Sequence, residues 1–245
     1  MGAWRVRLVA LVWCVVSGAW AQAPAPTAAP PNNDVIEAGV AAMERGHHAT
    51  AYRAWIKAAE AGDAMAQTNI GYLYERGLGQ RQSYVQALAW YRRAADQGLP
   101  QAQFNIGTLY YYGYGVERNP REAVRWFRMA VRKDLPQAQY MLGMAYYEGQ
   151  GVQAMPALAK EWFDKAARQG HDAAQMMLAM VLLSGDAGKA DPYAAYVWAD
   201  LAARAGQQEA SLVRDYASFK LDAGETERAK QEALTCGRQG LKGCP

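Results

Sequence analysis

Small and apolar residues return along this chain at a fixed interval of 36 positions. Ala66, Ala102, Ala138 and Ala174 mark it, and Gln67, Gln103, Gln139 and Gln175 follow one place behind. Gly71, Gly107 and Gly143 keep the same spacing with Ala179 in the fourth slot, as do Tyr74, Tyr110 and Tyr146 with Leu182 fourth. Gly77, Gly113, Gly149 and Gly185 come next, then Ala87, Ala123, Ala159 and Ala195, and finally Trp90, Trp126, Trp162 and Trp198. So many registers held over four copies mark a tandem repeat. A unit of this length cannot bury its apolar face alone and does so against its neighbours.

Each copy reads as two helices. In the second, Pro100 opens the first helix, where its missing N–H costs nothing, and Gly113-Tyr114-Gly115 ends it. Asn119-Pro120 then caps and starts the second helix, with Glu122 at the capping-box position. Ser83 and Asp191 hold the same cap slot in the first and fourth copies, and Met155-Pro156 is a weaker version in the third. Ala102, Ile106, Gly107 and Tyr110 share one helical face, so glycine and alanine let the paired helix come close. Trp126 and Phe127 are expected to fill the space between repeats, which makes the recurring tryptophans core and not a ligand-stacking row. The predicted fold is all-α, an α-solenoid of antiparallel helix pairs.

The boundaries follow from the ladder. Four repeats occupy 63–98, 99–134, 135–170 and 171–206. Residues 35–62 read as an N-terminal capping pair with a turn at Gly46 and a second helix around Tyr52 to Ala59. Residues 207–245 read as a polar closing pair, Gln208–Leu221 and Glu225–Cys236, with a short tail. Before the folded body, residues 1–21 have the pattern of an export signal: Arg5 and Arg7, an apolar run from Leu8 to Val16, and Ala19-Trp20-Ala21 before a cleavage expected after Ala21. A retained anchor is the competing reading, but the apolar stretch is short of the roughly 20 residues that span a bilayer. No membrane span is expected after cleavage. Residues 22–34 are rich in proline and alanine and read as a disordered leader. The expected location is the periplasm or the exterior.

Charge and cysteine content narrow the partners. Cleavage takes Arg5 and Arg7 from 26 basic residues facing 23 acidic ones, leaving a chain near neutrality. It lacks the positive field that phosphate backbones attract, so nucleic acid is not an expected partner. Cys236 and Cys244 would remain as an even pair in an oxidising compartment, in a glycine-rich segment. A disulfide between them would stabilise this end by roughly 2–3 kcal/mol. No histidine or third cysteine lies near them in sequence to suggest a metal. There is no nucleophile elbow, no phosphate-binding loop and no metal-binding histidine pair, so neither a catalytic site nor a cofactor is expected. His47 and His48 are adjacent in a turn and His171 sits at a repeat junction.

The block Ala66-Gln67-x-x-Ile70-Gly71-x-x-Tyr74-x-x-Gly77-x-Gly79, followed by Ala87-x-x-Trp90-Tyr91-x-x-Ala94-Ala95-x-x-Gly98, resembles the Sel-one-like repeat (SLR) family, a relative of the tetratricopeptide repeat. The second copy resembles it further through Gly113-Tyr114-Gly115-Val116, while the fourth departs at Ala179, Leu182 and Ala187. The resemblance covers about residues 35–240. It implies a right-handed superhelix with a concave binding face and a role as an adaptor for proteins. Two other roles stay open: a structural subunit of an envelope export or motor complex, and a hydrolase like the cysteine-rich SLR proteins described as β-lactamases. The central repeats here contain no cysteine, which counts against the second.

By analogy with the related tetratricopeptide repeats, one variable stripe on each first helix is the concave surface. The first copy contributes Tyr72, and the second Phe104, Thr108, Tyr111 and Tyr112. The third contributes Tyr140, Met144 and Tyr147, and the fourth Met176, Met180, Leu183 and Ser184. Aromatic rings offer large contact area with a polar tip, and methionine adapts to irregular partners. The expectation is a groove for a peptide or protein with apolar side chains. The alternative is that curvature buries part of this stripe, the methionines more than Tyr111, Tyr112 and Tyr147. Arg92, Arg93, Arg125, Arg128, Lys160 and Lys165 read as a solvated outer face. The oligomeric state is left open.

Overall fold

The computed structural model describes residues 33–241 and 243–245, so the expected export signal and most of the leader lie outside the described residues. Those residues form twelve α-helices and no strand: α1 Asn33–Glu44, α2 His48–Glu60, α3 Ala64–Arg76, α4 Tyr84–Asp96, α5 Pro100–Tyr112, α6 Pro120–Ala130, α7 Pro136–Glu148, α8 Pro156–Arg168, α9 Asp172–Ser184, α10 Pro192–Arg204, α11 Gln208–Phe219 and α12 Ala223–Arg238. A 3₁₀ turn, Val131–Lys133, follows α6. Each helix from α1 to α10 packs on the next and α12 packs back on α10, which makes a helical solenoid. Short connections reverse the chain between consecutive helices.

Local chemistry sets most ends. Side chains of Asp63, Ser83, Asn119, His171, Asp191 and Asp222 accept the first free N–H groups of their helices. The capping box expected at Asn119 and Glu122 does not close. The Asn119 N–H donates instead to the Tyr110 carbonyl (2.9 Å), and the Glu122 carboxylate pairs with Arg125 at 3.1 Å. The equivalent N–H groups of Ser83, Met155 and Asp191 donate to the carbonyls of Tyr74, Tyr146 and Leu182, so each copy ties the start of its second helix to the end of its first. A complete box is found at Asp222 and Glu225. At the N-terminal end, α1 starts at Asn33, inside the stretch assigned to the leader, with Asp34 placing a carboxylate in its first turn.

The two glycines of each Gly-x-Gly pair do different work. Gly113 sits at φ 77°, closing α5 in the left-handed conformation that only glycine adopts freely. Gly151 lies against the backbone of Pro120, where a Cβ would come within 2.4 Å of the carbonyl carbon. The second glycine is therefore a close-approach site between neighbouring copies.

The core also differs from expectation in one respect. Trp90, Trp126 and Trp162 are half-buried, while the residues after them, Tyr91, Phe127 and Phe163, are fully enclosed. These three rings lie over the recurring glycines: a Cβ on Gly71, Gly107 or Gly143 would come within 2.6, 2.5 and 2.6 Å of Tyr91, Phe127 and Phe163. The tryptophans stand outside this contact, with the Arg93 guanidinium over Trp90 at 4.4 Å and the Lys165 ammonium over Trp162 at 4.3 Å. Trp198 alone of the four is fully buried, and its indole N–H donates to the Pro245 carbonyl at 2.8 Å. In that fourth copy both members of the glycine–ring pair become alanine, Ala179 and Ala199, and both are enclosed.

Candidate binding groove

The first helices, α3, α5, α7 and α9, carry the stripe singled out in the sequence, and α11 continues it. Tyr72 and Tyr112 are exposed, Tyr112 by 51%. Phe104 is half-buried with its ring 6.0 Å from that of Phe127, and Thr108 is turned back on its own helix, its hydroxyl donating to the Phe104 carbonyl at 3.1 Å. Tyr140 is half-buried, stacked on His171 at 4.9 Å and tilted against Phe163. Met144 and Met176 are half-buried, and Met180 is exposed.

Tyr111 departs from the expectation that it stays open. It is only 8% exposed, because Phe127 and Tyr112 cover its ring and its hydroxyl donates to Glu148 Oε2 of the next copy at 2.9 Å. The half-buried Tyr147 repeats the motif one copy on, donating to Asp186 Oδ2 at 3.0 Å. Burial and the adjacent Glu148 push the Tyr111 hydroxyl well above its ordinary titration range, and burial with the Asp186 hydrogen bond raises Tyr147. Both hydroxyls therefore stay protonated and serve as donors to carboxylates.

Four of the predicted residues, Tyr111, Tyr112, Tyr140 and Met144, meet around a cavity of about 350 Å³ between α5 and α7. Arg118, Met141 and Glu148 complete its wall. The Arg118 Nε–H donates to the Tyr111 carbonyl and its terminal nitrogen to Gln150 Oε1, each at 3.0 Å. Gln82 occupies the same slot one copy earlier and donates to the Glu75 carbonyl, the counterpart of that of Tyr111. The sequence signal for Arg118 is thus a variable position inside the repeat, hidden because it lies in the loop and not on the helix. Next to the cavity, Tyr112, Tyr114 and Tyr84 form a stacked row with ring centroids 5.5 and 5.0 Å apart.

A second cavity, of about 560 Å³, lies between α9 and α11 and is lined by Met180, Leu183, Ser184, Leu212, Val213, Tyr216 and Lys220. Of the stripe read in the sequence it includes Met180, Leu183 and Ser184. Leu212, Tyr216 and Phe219 are the stripe positions of a fifth first helix, each 36 residues after Met176, Met180 and Leu183. They were missed because the closing pair reads as polar overall.

The groove offers rings, thioethers and carboxylates whose positions the tyrosine hydroxyls fix. No group of three His, Cys, Asp or Glu side chains placed to hold a metal occurs among the described residues. His48 Nδ1 lies 3.4 Å from the Met43 sulfur and His171 caps α9, so these two histidines serve local packing and capping. No helix among the described residues is long and apolar enough to cross a membrane.

Comparison with known proteins places this architecture. The Sel1 repeat family model matches residues 64–99, 100–135, 136–171 and 172–207, more than half of the chain. The chain belongs to the Sel1 repeat family. Each matched copy starts at the first helical residue of α3, α5, α7 or α9, so the Sel1 unit is one first helix and the second helix that follows it. Among solved structures, a Sel1 repeat protein from Oxalobacter formigenes is 30% identical over 83% of this chain and 83% of its own, with a TM-score of 0.70. A protective antigen present in uropathogenic Escherichia coli strains, displaying an SLR fold, is 30% identical with a TM-score of 0.67; the match covers 81% of this chain and 46% of the antigen. No significant match is found among curated proteins. Sel1 repeat proteins are helical repeat scaffolds and generally protein-interaction modules, and their solenoid is the one built here.

Proposed function

We propose that this chain is an exported scaffold, in the periplasm or outside the cell, that holds a peptide or protein segment in the groove of its first helices. The reading rests on one observation above all: the cavity between α5 and α7 is walled by Tyr111, Tyr112, Tyr140, Met141 and Met144 and spans two copies. A bound segment with apolar side chains would cover the rings of Tyr112 and Tyr140, and its backbone amides would find Glu148 at the rim. Aromatic anchors in a desolvated pocket carry a large share of binding energy in such interfaces. The export signal read at residues 1–21 supports the location, and the disulfide between Cys236 and Cys244 belongs to the same reading, since their Cα atoms lie 5.5 Å apart, inside bonding range.

The test uses the full chain expressed in its natural envelope. A photo-crosslinking residue at Met144 is expected to capture a protein partner, while the same residue at Arg125, on the exposed face of α6, captures none. Tyr112→Ser with Tyr140→Ser should abolish the capture without changing the helical circular dichroism. Equal capture from both positions, or capture that survives the double substitution in a folded chain, would rule out the groove. Fractionation of the same cells checks the location, and recovery in the cytoplasm would rule out export.

A further inference from the structure

The exposed face of α11 is the open end of the groove stripe, and it carries its own chemistry. In α5 and α7 the stripe is partly covered by the copy that follows, as Tyr111 is by Glu148 and Tyr147 by Asp186. Among the described residues no later first helix packs on α11. Leu212, Tyr216 and Phe219 are left 73%, 55% and 83% exposed, far more than single surface apolar residues warrant when they lie together at i, i+4 and i+7. Helical spacing puts Glu209, in the first turn, and Lys220, just past the last, on the same face. Neither has an ion-pair partner among the described residues, and the Lys220 ammonium lies over the Tyr216 ring at 5.2 Å. The face thus reads acid, apolar, aromatic, apolar, base along the helix.

We infer that this face pairs with the same face of a second copy of the chain, α11 against α11 in antiparallel sense about a two-fold axis. Antiparallel pairing brings Glu209 of each copy to Lys220 of the other, so the ion pair forms twice, and it places the Leu212–Tyr216 segments together at the centre. An isologous contact of this kind closes on itself and stops at two. The opposed helix dipoles run antiparallel, which adds to the match. The tyrosine cavity between α5 and α7 lies two copies away from α11, so the pairing leaves it open, and the inference does not depend on what that cavity binds.

Sedimentation equilibrium of the purified full chain tests the pairing. The expected mass at submicromolar to high micromolar concentration moves from one chain to two. Leu212→Asp and Phe219→Asp should each leave a monomer with unchanged circular dichroism, since neither side chain is part of the core. Glu209→Lys or Lys220→Glu alone turns two attractive contacts repulsive and should weaken association by on the order of tenfold or more, about 1.4 kcal/mol. The combined variant Glu209→Lys/Lys220→Glu restores the pairs and should recover most of that loss. A wild-type chain that stays monomeric throughout would overturn the inference. So would a dimer that survives Leu212→Asp, a charge-swapped double no tighter than either single, or a different protein seated on this face in its place.

Discussion

The contact between Gly107 and Phe127 shows how one missing methyl sets the geometry of a copy. The ring is fully enclosed and rests where a Cβ would stand, 2.5 Å away. Phe127→Ala should cost about 3–5 kcal/mol. Trp126→Ala should cost less, because that indole is half-buried and its N–H has no partner to lose. Gly107→Ala should cost about 1–3 kcal/mol by overpacking. The native Ala179–Ala199 pair shows that the two changes relieve each other, since it fills the same slots with two small side chains. Urea unfolding of Gly107→Ala/Phe127→Ala should therefore show less destabilisation than the sum of the singles, and strict additivity would mean that the contact does not set the spacing. His171 makes a separate, pH-dependent contribution. Burial lowers its pKa, and its neutral Nδ1 accepts the Ala174 N–H at 3.2 Å, a role the imidazolium cannot fill. Because the folded value lies below the unfolded one, the unfolded chain takes up the proton first. The stability this residue contributes is full above about pH 6.5 and falls as the pH drops toward the lower folded value. His171→Asn keeps an N-cap without a titrating group, so its urea midpoint should lose less than that of the natural chain between about pH 7.5 and pH 5.

At the scale of the helix, caps and loop glycines set where each copy begins and how closely it meets the one before. Asn119→Ala removes the acceptor for the Glu122 N–H (3.1 Å) and should cost about 1 kcal/mol. Gly151→Ala should cost more, since its φ of 76° disfavours any side chain and the new methyl meets backbone, not a side chain that can swing away. Thermal melts of the two variants give the ranking, and a milder effect for Gly151→Ala would contradict the close-approach role. Much of this was legible in the sequence because prolines, glycines and cap residues act locally and recur at a fixed interval. The division of labour between Gly149 and Gly151 was not legible, since it depends on which backbone the loop touches in the neighbouring copy. For the same reason the sequence could rank Trp126 and Phe127 together, although one helical step of about 100° carries one to the rim of the core and the other into it. The groove was half legible. Its stripe on α5 and α7 follows from register, but the burial of Tyr111 and the arrival of Arg118 come from contacts across copies and loops. Leu212, Tyr216 and Phe219 lay in register and were masked by the polar residues around them.

The whole molecule is a one-dimensional array, so its stability is expected to vary along its length. Middle copies are sandwiched, while the last pair is held by fewer neighbours and by an unusual closure. The tail folds back so that the Pro245 carbonyl accepts from the Trp198 indole and the Cys244 carbonyl accepts from Arg168 at 3.2 Å. Cys236 lies at the end of α12 and Cys244 in the tail, so a bond between them fixes the tail over the most buried tryptophan of the ladder. The closed loop is short, and replacing both cysteines by alanine should cost roughly 2–3 kcal/mol. In a single cooperative globule that loss would spread over every amide. In an array it stays near the end where it is made, because each copy touches only its neighbours. Native-state hydrogen exchange of Cys236→Ala/Cys244→Ala should therefore lose protection in α10, α11 and α12 while α3 to α6 keep theirs. Uniform loss along the chain would show that the solenoid unfolds as one unit and that its end is as strongly coupled as its middle. The same experiment bears on assembly: if α11 is the face on which two chains meet, fraying of the closing pair should also weaken pairing, which links the tail to the number of grooves presented together.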